Sequence, residues 1–131
     1  MITHREIYCG SCWKVVSIEE DGEDVYDQYV NSLDKRARIK LMAIMKVVAD
    51  RMSFKNKEKF KKLRNDIWEF KSRTKTQNAR VYCFFHTNFI VCTHGTHKLK
   101  KRQLDGEIMK AVRMRKKFIE EGGIKNAIKK D

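Results

Sequence analysis

Apolar and polar positions along the 131-residue chain change period several times, and each change marks an element. Cys12-Trp13-Lys14-Val15-Val16-Ser17-Ile18 is dense in strand formers and stops at the acidic turn Glu19-Glu20-Asp21-Gly22. Asp24 is placed to cap a short helix from Val25 to about Ser32, with Val25, Tyr29 and Leu33 along one side. From Asp34 to about Met52, Ala37, Leu41, Ile44, Val48 and Met52 recur at three- and four-residue spacing while Lys35, Arg36, Arg38 and Lys46 fall elsewhere. That is an amphipathic helix whose stripe covers a sheet. Phe54 to Arg64 alternates Lys and Phe and reads as loop or irregular helix.

Three strands follow: Ile67 to Lys71, Ala79 to His86, and Phe89 to His94. A two-residue loop at Thr87-Asn88 puts Cys83 opposite Cys92, with Val81, Phe85 and Ile90 on the same face. Trp68, Phe84 and Phe85 belong to the core. A helix from about Leu104 to Glu120 turns Leu104, Ile108, Ala111, Val112 and Phe118 toward the sheet. Gly122-Gly123 stops it, and a basic tail over 124–131 is expected to fray. The order β-α-α-β-β-β-α predicts an α+β fold, a small antiparallel sheet packed with helices. With no proline, linker or repeat, one domain over 1–131 is expected, its core about 12–120.

Composition narrows the class. A hydrophobic content of 41% is enough for a core. The longest apolar run in a helical stretch, Leu41-Met42-Ala43-Ile44-Met45, is far short of the roughly 18 residues a membrane span needs. No basic start leads into an apolar segment, so a cytoplasmic protein without membrane attachment is expected. The four cysteines then read as thiols, Cys83 and Cys92 as apolar filling of the sheet or a cross-strand disulfide under oxidising conditions. Cys9 and Cys12 form a single C-x-x-C, and only a meeting with His94 and His97 would make a zinc site.

Charge points to a partner. The chain carries a formal +13, yet residues 1–33 hold two basic and seven acidic groups, leaving +18 on the other 98. Such a field attracts polyanions, and nucleic acid or the ribosome is the leading candidate.

The elements and their local motifs resemble the RelE/HigB superfamily of bacterial toxins, in particular its phage-type HigB branch. The resemblance runs over about residues 12–120. It is carried by the helix Asp34–Met52, the Lys62-Leu63 pair, Ile67-Trp68-Glu69-Phe70-Lys71, the hairpin start Arg80-Val81-Tyr82, and His94-Gly95-Thr96-His97-Lys98-Leu99-Lys100-Lys101 before Glu107-Ile108 and Ala111. In the family the last region typically reads His-Gly, a hydrophobic residue, a Lys pair and a Lys-Thr-Pro helix start. Here Leu99 stands at the second Lys, and Arg102-Gln103-Leu104 replaces Lys-Thr-Pro. The resemblance implies the toxin of a type II toxin–antitoxin pair, an endoribonuclease that cuts mRNA on the ribosome with no metal or cofactor. Its partners would be a cognate antitoxin, the ribosome and mRNA. The 2′-hydroxyl attacks the adjacent phosphate and leaves a 2′,3′-cyclic phosphate and a 5′-hydroxyl.

That reaction needs a base, charge stabilisation on the phosphorane and an acid for the leaving oxygen. A guanidinium fork suits phosphate oxygens, so Arg80 is the first candidate, matching the family's strand-borne Arg, and Arg73 the second. Glu69 and Lys71 point away from Trp68 and Phe70, to the exposed side if those two face the core. Glu69 would serve as base or order a basic neighbour. An imidazole titrates close to neutral pH and suits either proton role, which singles out His97 over His94, a strand-end residue. Lys98 joins them as a phosphate or proton donor. Tyr82, two residues from Arg80 on one face, either offers a stacking platform for a base or packs within the sheet. Lys100 and Lys101 read as phosphate contacts, and Arg113, Arg115, Lys116 and Lys117 as contacts to ribosomal RNA. A non-catalytic RNA- or DNA-binding module of the same fold, and a small zinc-stabilised adaptor, are the competing readings.

Overall fold

In the computed structural model, which describes residues 1–122 and Ile124, the strands are β1 (Ile2–Cys9), β2 (Lys14–Glu20), β3 (Phe60–Lys62), β4 (Trp68–Arg73), β5 (Asn78–His86) and β6 (Phe89–His97). The helices are α1 (Val25–Ser32), α2 (Lys35–Ala49) and α3 (Lys101–Glu120). All the strands join one sheet in the order β1-β2-β6-β5-β4-β3. The fold is α+β, as the patterning implies.

Two strands depart from the expected order. β1 pairs with β2, from Ile2 opposite Glu20 to Cys9 opposite Lys14. β3 is held by its partner, with Phe60 opposite Phe70 and Lys62 opposite Trp68. Neither segment alternates cleanly; each becomes a strand through its neighbour's free backbone groups. The sheet is also mixed, because β2 runs parallel to β6 from Lys14–Phe89 to Ser17–Cys92. A parallel neighbour requires a long crossover, and α1, α2 and the β3–β5 segment supply it.

Aspartates start both early helices. Asp24 accepts from the Asp27 N–H at 2.9 Å and Asp34 from the Ala37 N–H at 2.8 Å, satisfying donors that the first turn leaves unpaired. α2 buries Ala37, Leu41, Ile44, Met45 and Val48 against Phe70, Val81, Cys83 and Ile90. Leu41 has no exposed surface, a burial that stabilises by about 1.5–3 kcal/mol. The helix ends at Ala49, so Met52 falls outside the stripe and is 76% exposed. In α1 the buried residue is Tyr26, with Val25 only half-buried.

The opposite face is a second core. Val16, Ile67, Tyr82, Phe84 and Val91 meet Ile108, Ala111 and Phe118 of α3, with Leu104, Val112 and Ile124 partly buried against them. α3 begins at Lys101, where the Gln103 side chain reaches back toward the Lys100 N–H at 3.4 Å. That contact takes over the helix start from the Lys-Thr-Pro pattern. Gly122 adopts φ 64° after the last turn, and the expectations for Gly123 and the tail beyond Ile124 lie outside the described residues.

The β5–β6 hairpin turns at Thr87-Asn88 and sets Cys83 opposite Cys92, both free thiols. Burial pushes both thiols far above their usual range, so they are filling rather than nucleophiles. A bulge then breaks the register between Val81 and Cys83. Beyond it Gly95 faces α1, and a Cβ there would overlap the Tyr29 ring. Only glycine lets Tyr29 lie on the strand and donate to the Thr96 carbonyl at 2.8 Å.

Candidate nucleic-acid site

Cross-strand pairing brings several expected residues together. Lys71 stands opposite Arg80, Glu69 opposite Tyr82, and Arg80 opposite Thr96. Directly opposed residues share a face, so these five side chains rise from the side of the sheet that α3 covers. Beside them opens a cleft of about 360 Å³. Its walls are Lys40 and Ile44 of α2, Glu58 and Lys59 ahead of β3, Lys71, Ser72 and Arg73 of β4, Asn78 and Arg80 of β5, and Lys98 just past β6. Six of these are cations and one is a carboxylate, a lining suited to an anion.

Arg80 is the best-oriented group in it. Its side chain is 11% exposed, and Nη1 donates to Asn78 Oδ1 at 2.7 Å and to the Ala79 carbonyl at 3.2 Å. Nε lies 3.9 Å from Glu69 Oε2, a charge contact rather than a hydrogen bond. Nη2 has no hydrogen-bond partner among the described residues, so the fork is held on one side and open on the other.

Glu69 departs from expectation. Its side chain is 8% exposed, not on an open side, because the face away from Trp68 and Phe70 is itself covered. Burial raises its carboxyl above the usual range, with Arg80, Lys71 and Lys61 pulling it back. Tyr82 is also fully buried; its hydroxyl sits 2.8 Å from Thr96 Oγ1 and its ring packs on His94 at 4.9 Å. A ring so enclosed presents no face to a nucleobase. Burial is the main reason its hydroxyl titrates above the normal range.

His94 continues that buried chain, with Nε2 2.9 Å from Glu107 Oε1 and Nδ1 3.0 Å from Thr93 Oγ1. Burial and the Lys110 charge lower its pKa to about 4 against the pull of Glu107, so the ring is neutral near pH 7. His97 lies on the other face, its ring edge-on to Tyr29 and Nδ1 3.3 Å from that hydroxyl. The bulge and the strand's alternation put it on the face opposite the Arg80 side chain, and it does not line the cleft.

The expected helix surface is thinner than its sequence. Lys100, Lys101, Arg113 and Lys116 are exposed. Arg115 instead lies over Phe84, its Cζ 5.7 Å from the ring, and Lys117 pairs with Glu20. Lys40, Lys59 and Asn78 were not singled out from sequence. Asn78 stands just before the expected strand start at Ala79, and β5 begins one residue earlier than expected, which puts Asn78 on the Arg80 face.

Among the described residues no group of three or more His, Cys, Asp or Glu is arranged to hold a metal. Cys9 ends β1, Cys12 sits against the Asp50 carbonyl at 3.5 Å, and His94 turns to Glu107, so the zinc grouping does not assemble. No helix among the described residues is long and apolar enough to cross a membrane.

No curated protein matches the chain. A family model described as Phage derived protein Gp49-like (DUF891) matches residues 28–116, from within α1 to late in α3, and takes in the whole cleft. The chain belongs to this phage-derived Gp49-like family, a toxin-like family related to RelE/HigB-type toxins.

Proposed function

We propose that the protein is the toxin of a type II toxin–antitoxin pair of the phage-type HigB kind, a metal-independent endoribonuclease acting on mRNA at the ribosome. The observation that carries this reading is Arg80, fixed by Asn78 and Ala79 with Nη2 open to a cationic cleft. A preoriented donor costs no reorganisation when charge develops on a phosphorane. In the reaction the substrate's 2′-oxygen bonds to phosphorus, and the bond to the 5′-oxygen breaks. The proton leaves the first oxygen for a base, and the second takes one from an acid. Arg80 holds the phosphate oxygens, and Glu69 beneath it steadies the guanidinium. Lys71 and Lys98 line the cleft as ammonium donors placed to protonate the leaving 5′-oxygen, and the Glu69 carboxylate beside Arg80 is the acceptor for the 2′-proton. Arg73 supplies further positive charge at the rim. A net charge of +13 favours both ribosomal RNA and capture by an acidic antitoxin segment. Such partners place its work in the cytoplasm.

The rival reading is a non-catalytic RNA or DNA binder of the same fold. It draws on the absence of His97 and of an exposed Tyr82 ring from the cleft. Mapping mRNA 5′ ends in a purified translation reaction decides between them, with ribosomes omitted in parallel. New ends at codon-defined positions, only with translating ribosomes, are the expected result. Cuts on naked RNA would remove the ribosome dependence. Binding without cuts would overturn the nuclease.

A further inference from the structure

A second and larger basic cavity, of about 740 Å³, lies against the first. Arg36 and Lys40 of α2 form one side, and Arg73, Lys75, Gln77 and Asn78 of the β4–β5 turn the other. Lys40, Arg73 and Asn78 wall both cavities, so the two are continuous. Its hydrogen-bonding groups are set as donors. Gln77 Oε1 accepts from the Asp34 N–H at 2.9 Å, and Asn78 Oδ1 accepts from Arg80 at 2.7 Å, so each amide turns its NH2 outward. The neighbouring carboxylate, Asp34, is engaged by the Ala37 N–H at 2.8 Å and the Thr76 hydroxyl at 2.7 Å. Four cations and two amide donors, joined to the Arg80 cleft, match a chain of phosphates rather than a single anion.

We infer that this cavity is a second backbone-binding subsite for single-stranded nucleic acid, holding phosphates next to the one seated at Arg80. The inference rests on the nucleic-acid reading of the Arg80 cleft. It adds a length requirement: a short strand is held at Arg80, and only a longer one reaches Arg36 and Lys75. Both of these side chains are exposed, so replacing them leaves the fold intact.

The test uses 2′-O-methyl RNA, which lacks the attacking hydroxyl and cannot be cut. Binding of a dinucleotide and of an octanucleotide is measured over a salt series for the intact chain and for the Arg36→Gln, Lys75→Gln double variant. The octamer should lose roughly tenfold in affinity, and its log–log salt slope should shrink by about 1.4, or 0.7 for each lost contact. The dinucleotide should change less than about twofold. An octamer that binds the double variant with unchanged affinity and slope overturns the subsite. So does an octaglutamate that binds as tightly as the octamer and weakens in parallel, since the cavity would then serve an acidic polypeptide. If cleavage fails in the translation reaction while the length-dependent loss is seen, the subsite stands and the nuclease falls.

Discussion

The two faces of the sheet use alternate residues of the same strands and come out chemically opposite. On the α1–α2 face, β5 contributes Ala79, Val81, Cys83 and Phe85 to an apolar cluster. On the α3 face the same strand contributes Arg80, Tyr82 and Phe84, beside Glu69, His94 and Glu107. The α1–α2 face stabilises chiefly by apolar burial. The other buries polar pairs as well, His94 with Glu107 and Tyr82 with Thr96, next to the Arg80 cleft. Alternation thus divides β5 between an apolar side and a polar one, while the cleft also draws Lys40 and Ile44 from α2, and substitutions in the buried stripe and at Arg80 should separate stability from chemistry.

The largest effect is expected at Arg80. Arg80→Ala removes the oriented phosphate donor and should lower turnover by about 3–4 kcal/mol in barrier, or 10²–10³-fold, by analogy with a lost oxyanion donor. Its thermal midpoint should fall, because the buried Glu69 carboxyl loses the cation 3.9 Å away, so turnover is compared at a temperature where the variant is still folded. Cleavage rate by 5′-end mapping, read with a thermal melt, checks both halves. An active, folded Arg80→Ala protein would remove Arg80 from the chemistry.

Leu41→Ala on the other face should lower stability and spare turnover. The side chain is fully buried, and its loss should cost roughly 3 kcal/mol of stability through lost transfer energy and the cavity left behind. A urea titration reads this as a lower midpoint at constant slope. Activity at low temperature, where the variant is still folded, should remain close to parental. A midpoint within about 0.5 kcal/mol of the parent would contradict the packing described.

Much of this contrast was legible in the sequence, but unevenly. The α2 stripe as far as Val48, the Asp24 cap and the Cys83–Cys92 register followed from period and turn chemistry, which are local. β1 and β3 did not, since each is a strand only because β2 or β4 offers an edge. Alternation put Glu69 with Lys71 on one strand and Arg80 with Tyr82 on the other, but their pairing as Lys71 opposite Arg80 came from the register of β4 and β5. The burial of Glu69 and Tyr82 was not legible, because one residue's alternation cannot say whether a helix will cover the second face. The separation of His97 from Arg80 depends on strand parity and on a bulge at Thr93-His94, a register break that no local pattern announces.

His94 extends the comparison to pH. Its pKa is held near 4 in the folded chain, below the ordinary 6.5, chiefly by burial and then by Lys110. A histidine lowered on folding binds more protons when unfolded, so stability falls as pH drops from about 6.5 toward 4. By pH 5 the loss should be about 2 kcal/mol, measurable as a pH-dependent urea midpoint. His94→Gln keeps a polar group of similar reach and removes the titration, so its stability should be nearly flat between pH 6.5 and 5. An equally steep loss in that variant would assign the dependence to other groups.

The smallest effects are expected on the outer side of α3, where Lys116 and Lys117 are adjacent in sequence but differ in company. Lys116 is exposed with no ion pair among the described residues, whereas Lys117 is paired with Glu20 across from β2. A cation already neutralised locally displaces fewer counterions from RNA. Lys116→Ala should therefore shrink the salt slope of ribosome binding by about 0.7–0.9, with turnover at saturating ribosome unchanged. Lys117→Ala should shrink it less, and Glu20→Gln, which frees Lys117, should steepen it. Binding isotherms over a salt series order the three. If Lys117→Ala costs as much as Lys116→Ala, the Glu20 pair opens on binding and the acidic turn after β2 moves away from the RNA. If Lys116→Ala lowers turnover at saturation, that side of α3 takes part in positioning the message rather than in docking alone.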